Sequence, residues 1–339
     1  MIVDRYYYNQ LNKGEQAIYK AFYKGVMAHQ DVIPIPIKGI MSSAMFDRIF
    51  FAMTRDNPLI YFLNQTACSY AQDMFGHTAI CPQYFFSEAK IKENNKKIQN
   101  AVNELAVKLQ LTEGSDYDKV LKVHDWMCNF VSYDEKGGDA KDIARVIRAH
   151  SIIGIFSHHS AQCEGIAKAV KVLLNAVDVK CIVATGNAIE KGTSVPHAWN
   201  IVNIDNIPYQ IDVTWDIGAI GKNKNRMAYD YFNITDELMY KDHRADSVLP
   251  ICVSMEHNFF TKNKRYFKNK LFLMPYISAA LKRGETDIYF RVDPKMNLVS
   301  IINEVSNLAA KELSEKGQRG IRIEQIPNET IGTCWIRIY

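Results

Sequence analysis

Apolar residues in the N-terminal part of the chain recur every three or four positions, the spacing of one face of a helix. This pattern predicts amphipathic helices over residues 13–29, 42–54, 90–110 and 117–131. Ser115 and Asp116 are suitable N-terminal cap residues for the last helix. Between 58 and 90, short apolar and aromatic runs separated by Gly and Pro are more typical of strands. Residues 1–115 are therefore expected to form a mainly helical region.

The middle of the chain, residues 116–248, changes from helical to strand spacing. A helix is predicted to begin near Cys163 and to bury a stripe of aliphatic residues, namely Ile166, Val170, Leu173 and Leu174. Strand-like runs follow at 181–184, 197–204 and 209–213, and Gly186 and Gly192 are assigned to a loop after the first of them. The polar pair Asp205-Asn206 predicts a two-residue hairpin turn between the last two runs.

The C-terminal part, residues 249–339, has the pattern of a small α/β unit. It is predicted to contain strands at 287–292, 321–326 and 333–339 and a helix at 298–313, with a Pro-Asn turn between the last two strands. This unit contains no obvious chemistry. The chain as a whole is therefore expected to be of the α+β class.

Composition and charge narrow the classes of function. Of the 339 residues, 47% are hydrophobic and 23% are charged, and the net charge of +4 is too small to indicate a nucleic-acid-binding surface. The seven cysteines include no CxxC pair, which favours reduced thiols over a disulfide framework. No signal-peptide pattern and no run of 18 apolar residues is visible, so we expect a cytoplasmic protein without a membrane partner. No spacing typical of a zinc or calcium site is present, and neither a metal nor a cofactor is expected.

Cys163 is the first candidate for chemistry, because it lies where a helix is predicted to begin. The N-terminus of a helix carries unpaired N–H groups and partial positive charge, which favour the thiolate form of a cysteine. The same N–H groups can stabilise an oxyanion that develops on a substrate carbonyl. The next residue, Glu164, opposes a thiolate if it points inward, and we expect it to point outward.

His197 and Asp212 are the second and third candidates. With the predicted two-residue turn, Ile204 pairs with Ile207 and Trp199 pairs with Asp212. Side chains alternate along strands, so His197 lies on the same face as Asp212. The two become diagonal neighbours, with backbones roughly 7–8 Å apart and side chains within reach of each other. A slip of one residue in the pairing would place them on opposite faces.

Three short blocks of sequence, in this order, resemble the core of the transglutaminase-like superfamily. They are AQCEGIAKA at 161–169, HAWN at 197–200 and IDVTWD at 211–216. The stretch HDW at 124–126, with VSYD at 131–134, is similar to the helix that precedes the core in this family. The resemblance implies a papain-like core, here with a helical N-terminal region and a small C-terminal α/β unit.

The resemblance also implies roles for individual residues. Cys163 would attack an amide carbonyl, His197 would accept and then donate the proton, and Asp212 would orient His197. Four neighbours would face the substrate or the oxyanion: Gln162 near the oxyanion, Trp199 and Trp215 as walls of the cleft, and Tyr133 at its border. Ile166 departs from the aromatic residue that is usual in bacterial members, which concerns the shape of the cleft.

Two classes of function follow from the sequence. The first is a thiol-dependent enzyme acting on protein or peptide amides through a thioester on Cys163. An amine acceptor would make it a transglutaminase, whereas water would make it a deamidase or a cysteine peptidase. The second is a transglutaminase-like scaffold that acts as a protein-interaction module. Asp216 is interpreted as a strand-end or turn residue, and the sequence leaves the oligomeric state open.

Overall fold

The structure is a computed structural model that describes residues 5–38, 41–64, 66–139, 141–190, 192–220, 226–315 and 322–339. The helices are α1 (Lys13–Met27), α2 (Ser43–Asp56), α3 (Glu88–Lys108), α4 (Asp116–Phe130), α5 (Ile143–Ala149), α6 (Ile152–His158), α7 (Cys163–Ala176), α8 (Val213–Ile220), α9 (Asp236–Met239), α10 (Phe259–Lys262), α11 (Lys270–Lys282) and α12 (Leu298–Glu315). The strands are β1 (Ile33–Lys38), β2 (Ser69–Gln72), β3 (His77–Cys81), β4 (Ser132–Tyr133), β5 (Ser160–Ala161), β6 (Cys181–Glu190), β7 (Thr193–Ile204), β8 (Ile207–Ile211), β9 (His243–Ala245), β10 (Tyr266–Phe267), β11 (Asp287–Val292), β12 (Ile323–Asn328) and β13 (Thr333–Ile338). The chain is therefore α+β.

The helices predicted from the N-terminal pattern are present, and each begins at a side chain that caps it. Asn12, Ser42, Ser87 and Ser115 precede α1 to α4, and each accepts a hydrogen bond from a backbone N–H of the first turn. Such caps satisfy N–H groups that have no partner within the helix. None of the described helices is long and apolar enough to cross a bilayer.

The strands of the N-terminal region differ from the predicted runs. An antiparallel sheet of order β1-β3-β2 forms from β1 and from two strands that follow the apolar run 59–63. That run is instead a buried turn, in which Leu63 makes an isolated bridge to Tyr84. Its side chains pack on α3, where the Tyr61 hydroxyl donates to Asn95 at 2.9 Å. Burial against a helix, not pairing in a sheet, explains this apolar run.

The central sheet has the order β8-β7-β6-β9 and is antiparallel throughout. The predicted hairpin is confirmed, since Ile204 pairs with Ile207 across Asp205 and Asn206. Both turn residues have positive φ, 53° and 66°, as a tight hairpin turn requires. The loop predicted around Gly186 is wrong, because the β6–β7 ladder is longer than the apolar run and includes this residue.

Helix α7 packs on one face of this sheet and carries the apolar stripe that the sequence predicts. The amide of Asn200 in β7 donates to the carbonyl oxygens of Ala167 in α7 and Ile182 in β6, at 2.9 and 3.1 Å. A continuous apolar cluster joins α7 to the N-terminal helices and to β8. The helix that begins at Cys163 is therefore held between the N-terminal region and the sheet.

The C-terminal region forms a second sheet, of order β10-β11-β13-β12, covered by α11 and α12. It has an apolar core of its own, to which Ile302, Val305 and Ala309 contribute as predicted. The predicted Pro-Asn turn is wrong: Pro327 and Asn328 are the last residues of β12, and the turn follows them. The apolar stripe predicted the helix correctly. The position of the turn was not predictable in the same way, because it depends on how far β12 pairs with β13.

Candidate active site

Cys163 is the first residue of α7 and is partly exposed. Its side chain packs against a small buried cluster of Ala167, Val183 and Ala198. Gln162 is the N-cap residue, but unlike the caps of α1 to α4 its side chain makes no cap hydrogen bond. The N–H groups at the start of α7 are thus left without a side-chain cap next to the thiol, where an oxyanion could use them.

His197 and Asp212 meet as the hairpin register requires. The pairing of Asn200 with Ile211 is the last of the β7–β8 ladder, and it continues the register from the turn. Asp212 lies between β8 and α8, and its Oδ2 is 2.6 Å from Nε2 of His197. The other carboxylate oxygen accepts a hydrogen bond from the backbone N–H of Trp215, at 3.1 Å. Nε2 is thus held by the carboxylate, and Nδ1 remains the nitrogen available to Cys163.

The charges of this pair stabilise each other in a buried place. Burial by itself lowers the pKa of His197, but the charge and hydrogen bond of Asp212, together with Cys163, outweigh it and raise the pKa to about 10. Burial raises the pKa of Asp212, but His197 and then His243 outweigh it and hold the pKa well below its ordinary value. The stable form is therefore an imidazolium against a carboxylate, with Cys163 beside the cation.

The two tryptophans of the predicted cleft have different environments. Trp199 is 1% exposed, lies nearly parallel to His197 at a ring-centroid distance of 6.2 Å, and donates its indole N–H to Gln210 at 2.7 Å. A role for Trp199 as a wall of the cleft is therefore wrong. It shares the strand face of His197, but it packs in a buried cluster with Tyr231 and Leu238. Trp215 is partly exposed on α8 and packs at 5.9 Å from the His197 ring. It lies in the first turn of α8, about one helical turn beyond Asp212.

Gln162 and Tyr133 border the thiol from the other side. The backbone N–H of Gln162 donates to Ala149 at 2.9 Å, and its side-chain amide donates to the carbonyl of Asp134 at 3.2 Å. Gln162 could stabilise an oxyanion through its backbone N–H or through its side-chain amide. The backbone N–H already donates to Ala149. Tyr133 is 42% exposed, and burial, followed by the charges of Cys163 and Glu190, raises its pKa to about 12. Tyr133 thus lies near Cys163, and its contact with a substrate stays a prediction.

Glu164 does not act freely on the thiol. Its carboxylate binds Lys168 one turn along α7, at 2.6 Å, and His150, at 3.1 Å. Burial raises the pKa of Glu164, but these two cations outweigh it and bring the pKa to about 2. The negative charge next to Cys163 is thus neutralised locally.

A further group of side chains at this site was not found from the sequence. Nε2 of His243 lies 3.1 Å from Oδ2 of Asp212, and its Nδ1 lies 2.6 Å from Asp242. The hydroxyl of Tyr231 donates to the other oxygen of Asp242 at 2.6 Å. The nitrogen and oxygen atoms of His197, Asp212 and His243 that could bind a metal lie within 4.8 Å of one another. Both imidazoles are at hydrogen-bond distance from one oxygen of Asp212, so N–H donation by the two rings accounts for this close grouping. Only the adjacent Asp-His pair in the sequence could have drawn attention to this position.

Asp216 is also placed differently from the prediction, in α8 and fully buried. It accepts from His124 of α4 at 3.1 Å and from the backbone N–H of Tyr231 at 3.0 Å. Burial raises the pKa of Asp216 to about 6, although His124 opposes this. Cys128 lies 3.6 Å from the same imidazole but is buried. This cluster fastens α8, and with it Asp212, to α4.

Comparison with known proteins agrees with this arrangement. Residues 103–211 match the family model of the transglutaminase-like superfamily. The chain is 22% identical to mouse (Mus musculus) kyphoscoliosis peptidase over 278 residues, covering 75% of this chain and 40% of that protein. It is 23% identical to the human (Homo sapiens) kyphoscoliosis peptidase over 212 residues, covering 57% of this chain and 32% of that protein. The chain thus spans two fifths or less of the length of these curated relatives.

Two solved structures show weaker likeness. A crystal structure of a transglutaminase (TGase) has a TM-score of 0.32 and 17% identity, covering 59% of this chain and 54% of that one. A proposed cysteine protease from Cytophaga hutchinsonii has a TM-score of 0.28 and 15% identity, covering 43% of this chain and 61% of that one. Scores of this size carry no argument, and the assignment rests on the family model and the curated relatives. Residues 103–211 thus match the core of the transglutaminase-like superfamily, and this segment contains Cys163 and His197 and ends one residue before Asp212.

Proposed function

We propose that this protein is a thiol-dependent enzyme that acts on protein or peptide amides through a thioester on Cys163. The observation that carries the proposal is the arrangement of three side chains. Cys163 begins a helix without a side-chain cap, beside His197, whose far nitrogen is held by buried Asp212 at 2.6 Å. A nucleophile, a base and a group that orients the base are the requirements of acyl transfer by a thiol.

The steps follow from which atoms face each other. The Cys163 thiolate attacks the amide carbonyl, and the oxyanion that forms is stabilised by N–H groups at the start of α7. His197 donates its Nδ1 proton to the leaving nitrogen, the C–N bond breaks, and a thioester and a free amine result. Neutral His197 then takes a proton from the acceptor, which attacks the thioester. The C–S bond breaks, and the Cys163 thiolate and the His197 imidazolium are restored. Throughout, Asp212 keeps Nε2 protonated, so that proton transfer occurs at Nδ1.

The acceptor decides the type of enzyme. Both curated relatives are named peptidases, which favours water as the acceptor and hydrolysis as the reaction. An amine acceptor would give cross-linking by the same intermediate. The charge around the thiol does not select between the two, since both acceptors are neutral when they attack.

The test compares the thiols of the protein with one another. Iodoacetamide at pH 6 alkylates a thiolate–imidazolium pair much faster than an ordinary thiol, which is protonated at that pH. Cys163 should react faster than Cys68 and Cys81, which are also partly exposed and serve as internal controls. His197→Ala should reduce the Cys163 rate to that of the controls. Equal rates for the three thiols in the unaltered protein would contradict an enzyme and favour the interaction scaffold.

A second assay distinguishes the acceptors. The protein is incubated with casein, with and without a dansylated alkylamine, and the products are followed by mass spectrometry. New peptide termini indicate a peptidase, conversion of Gln to Glu indicates a deamidase, and amine incorporation indicates a transglutaminase. Cys163→Ser is the control for contaminating activity, and any product that it still forms does not come from this site.

A further inference from the structure

Asp212 accepts hydrogen bonds from two histidines on the same oxygen. Oδ2 lies 2.6 Å from Nε2 of His197 and 3.1 Å from Nε2 of His243, and Asp212 and His243 are each fully buried. Orientation of His197 by Asp212 requires only the first of these contacts. The second contact adds another hydrogen bond to the same carboxylate oxygen.

The surroundings of His243 fix its protonation. Its two nitrogens face two carboxylates, Asp212 and Asp242, and each can form that contact only by donating a proton. Among the described residues, three further charged or titratable groups lie against it. His197 and Tyr231 have ring centroids 5.3 and 5.7 Å away, and the guanidinium of Arg244 donates to the backbone carbonyl of His243 at 2.5 Å. Burial and the charge of His197 lower the pKa of His243, but the two carboxylates outweigh them and raise it. His243 is therefore a buried imidazolium between two anions.

The backbone around His243 is held as firmly as its ring. β9 pairs with β6, with His243 opposite Ala188, and the carbonyl of Asp242 accepts from the N–H of Ile189 at 2.7 Å. This pairing is possible because Gly186 has no side chain, since a Cβ there would overlap the carbonyl oxygen of Arg244. Both residues of the Asp-His pair are thus tied to the strand that lies next to β7, which carries His197.

We propose that His243 is a positioning residue of the acyl-transfer site: as an imidazolium bonded to Asp212 and Asp242, it fixes the carboxylate that orients His197. The inference rests on the proposed function for its consequence, which is the reactivity of Cys163. Without His243, the carboxylate keeps only the N–H of Trp215 on one oxygen and His197 on the other. Rotation about the first contact then moves Oδ2, and His197 no longer presents Nδ1 to the thiol in one orientation. A misplacement of about 1 Å at a reacting centre can cost on the order of 100-fold in rate.

The experiment uses two substitutions of His243 with different consequences. In His243→Gln the side-chain amide can still donate to Asp212, whereas in His243→Ala no donor remains. His257→Gln is the matched control, because His257 is also buried and ion-paired, with Asp205 at 3.3 Å, but outside this network. Thermal melts by circular dichroism establish that each variant is folded at the assay temperature, and Asp242→Asn serves if the alanine variant does not fold.

Two readouts test the inference. At pH 6, the rate at which iodoacetamide labels Cys163 should fall about 10-fold to 100-fold in His243→Ala and stay within about 3-fold in His243→Gln and His257→Gln. In proton NMR, the low-field Nε2–H resonance of His197 should be retained in the Gln variant and lost or shifted in the Ala variant. Asp242→Asn should lower the pKa of the His243 ring, because one of its two carboxylate partners loses its charge.

The outcomes separate this inference from the proposed function. A labelling rate and a His197 resonance that are unchanged in folded His243→Ala would overturn the positioning role. So would a His243 ring whose pKa is the same in Asp242→Asn as in the unaltered protein. By contrast, slow labelling of Cys163 in the unaltered protein counts against the enzyme, and the NMR readouts then still decide whether His243 fixes Asp212.

Discussion

Replacing Asp212 with Asn removes the charge next to His197 while keeping a side chain of nearly the same size and an oxygen that can accept from Nε2. Asp212 and Cys163 raise the pKa of His197 from its ordinary 6.5 to about 10 against the effect of burial. At about 1.36 kcal/mol per pH unit, this difference corresponds to roughly 5 kcal/mol in favour of the imidazolium. Without the carboxylate charge, burial dominates, and His197 should titrate at or below its ordinary pKa.

The measurement is an NMR titration of the His197 ring in protein labelled with ¹³C-histidine. We expect the midpoint of the His197 titration to fall by about 3.5 pH units or more in Asp212→Asn. The labelling of Cys163 at pH 7 should fall with it, because less imidazolium is present to stabilise the thiolate. Asp287→Asn removes an exposed carboxylate paired with Arg337 in the C-terminal unit and is the control for the chemical change alone. A His197 midpoint that stays near 10 in Asp212→Asn would refute the electrostatic reasoning.

The same pair makes a prediction about stability and pH. The lowered pKa of Asp212 adds stability above its ordinary pKa of 3.8, and this stability is lost as the pH falls further. The raised pKa of His197 adds stability that is complete below its ordinary 6.5 and is lost as the pH rises through about 10. In urea denaturation, Asp212→Asn should therefore differ most from the unaltered protein between about pH 4 and pH 6.5. A difference independent of pH between 5 and 10 would contradict the linkage.

Three further predictions concern the elements that hold the site. Gly186→Ala should separate β9 from β6 and destabilise the protein by about 1–3 kcal/mol in urea denaturation, and full stability would contradict the close approach seen here. His124→Gln leaves Asp216 without its cation and should lower the free energy of unfolding by about 3–5 kcal/mol in the same measurement. A loss below about 1 kcal/mol would contradict this expectation. Tyr289→Phe removes a hydrogen bond from the C-terminal unit to buried Asp230, and it should lower the free energy of unfolding by about 1.5–3 kcal/mol. An unchanged denaturation midpoint would show that this contact does not join the unit to the core.

Local patterns were sufficient for the parts of the site that lie close together in sequence. The helix that begins at Cys163 follows from its apolar stripe, and the hairpin follows from Asp205-Asn206, a pair that tolerates positive φ. Once the turn length is known, strand alternation places His197 and Asp212 on one face, and the structure has this register. The fold class was predictable for the same reason, because helical and strand periodicity are properties of short segments.

Long-range packing decided the rest. Trp199 lies on the same strand face as His197, which is the position expected of a cleft residue. It is nevertheless buried, because residues from distant parts of the chain pack over it. Asp216 is a helical residue only because α8 begins directly after Asp212, and its partner His124 is 92 residues away. No periodicity predicts such pairs, since they depend on which elements meet.

The sequence by itself predicted the three residues of the proposed site, because each lies at a helix start or along a single hairpin. Only the tertiary structure decided which other side chains contact Asp212. His243 reaches Asp212 through the pairing of β9 with β6, which joins residues more than fifty positions apart. The physical reason is that hydrogen bonds to a buried carboxylate come from whichever donors the packed core brings to it, and the local sequence does not specify those donors.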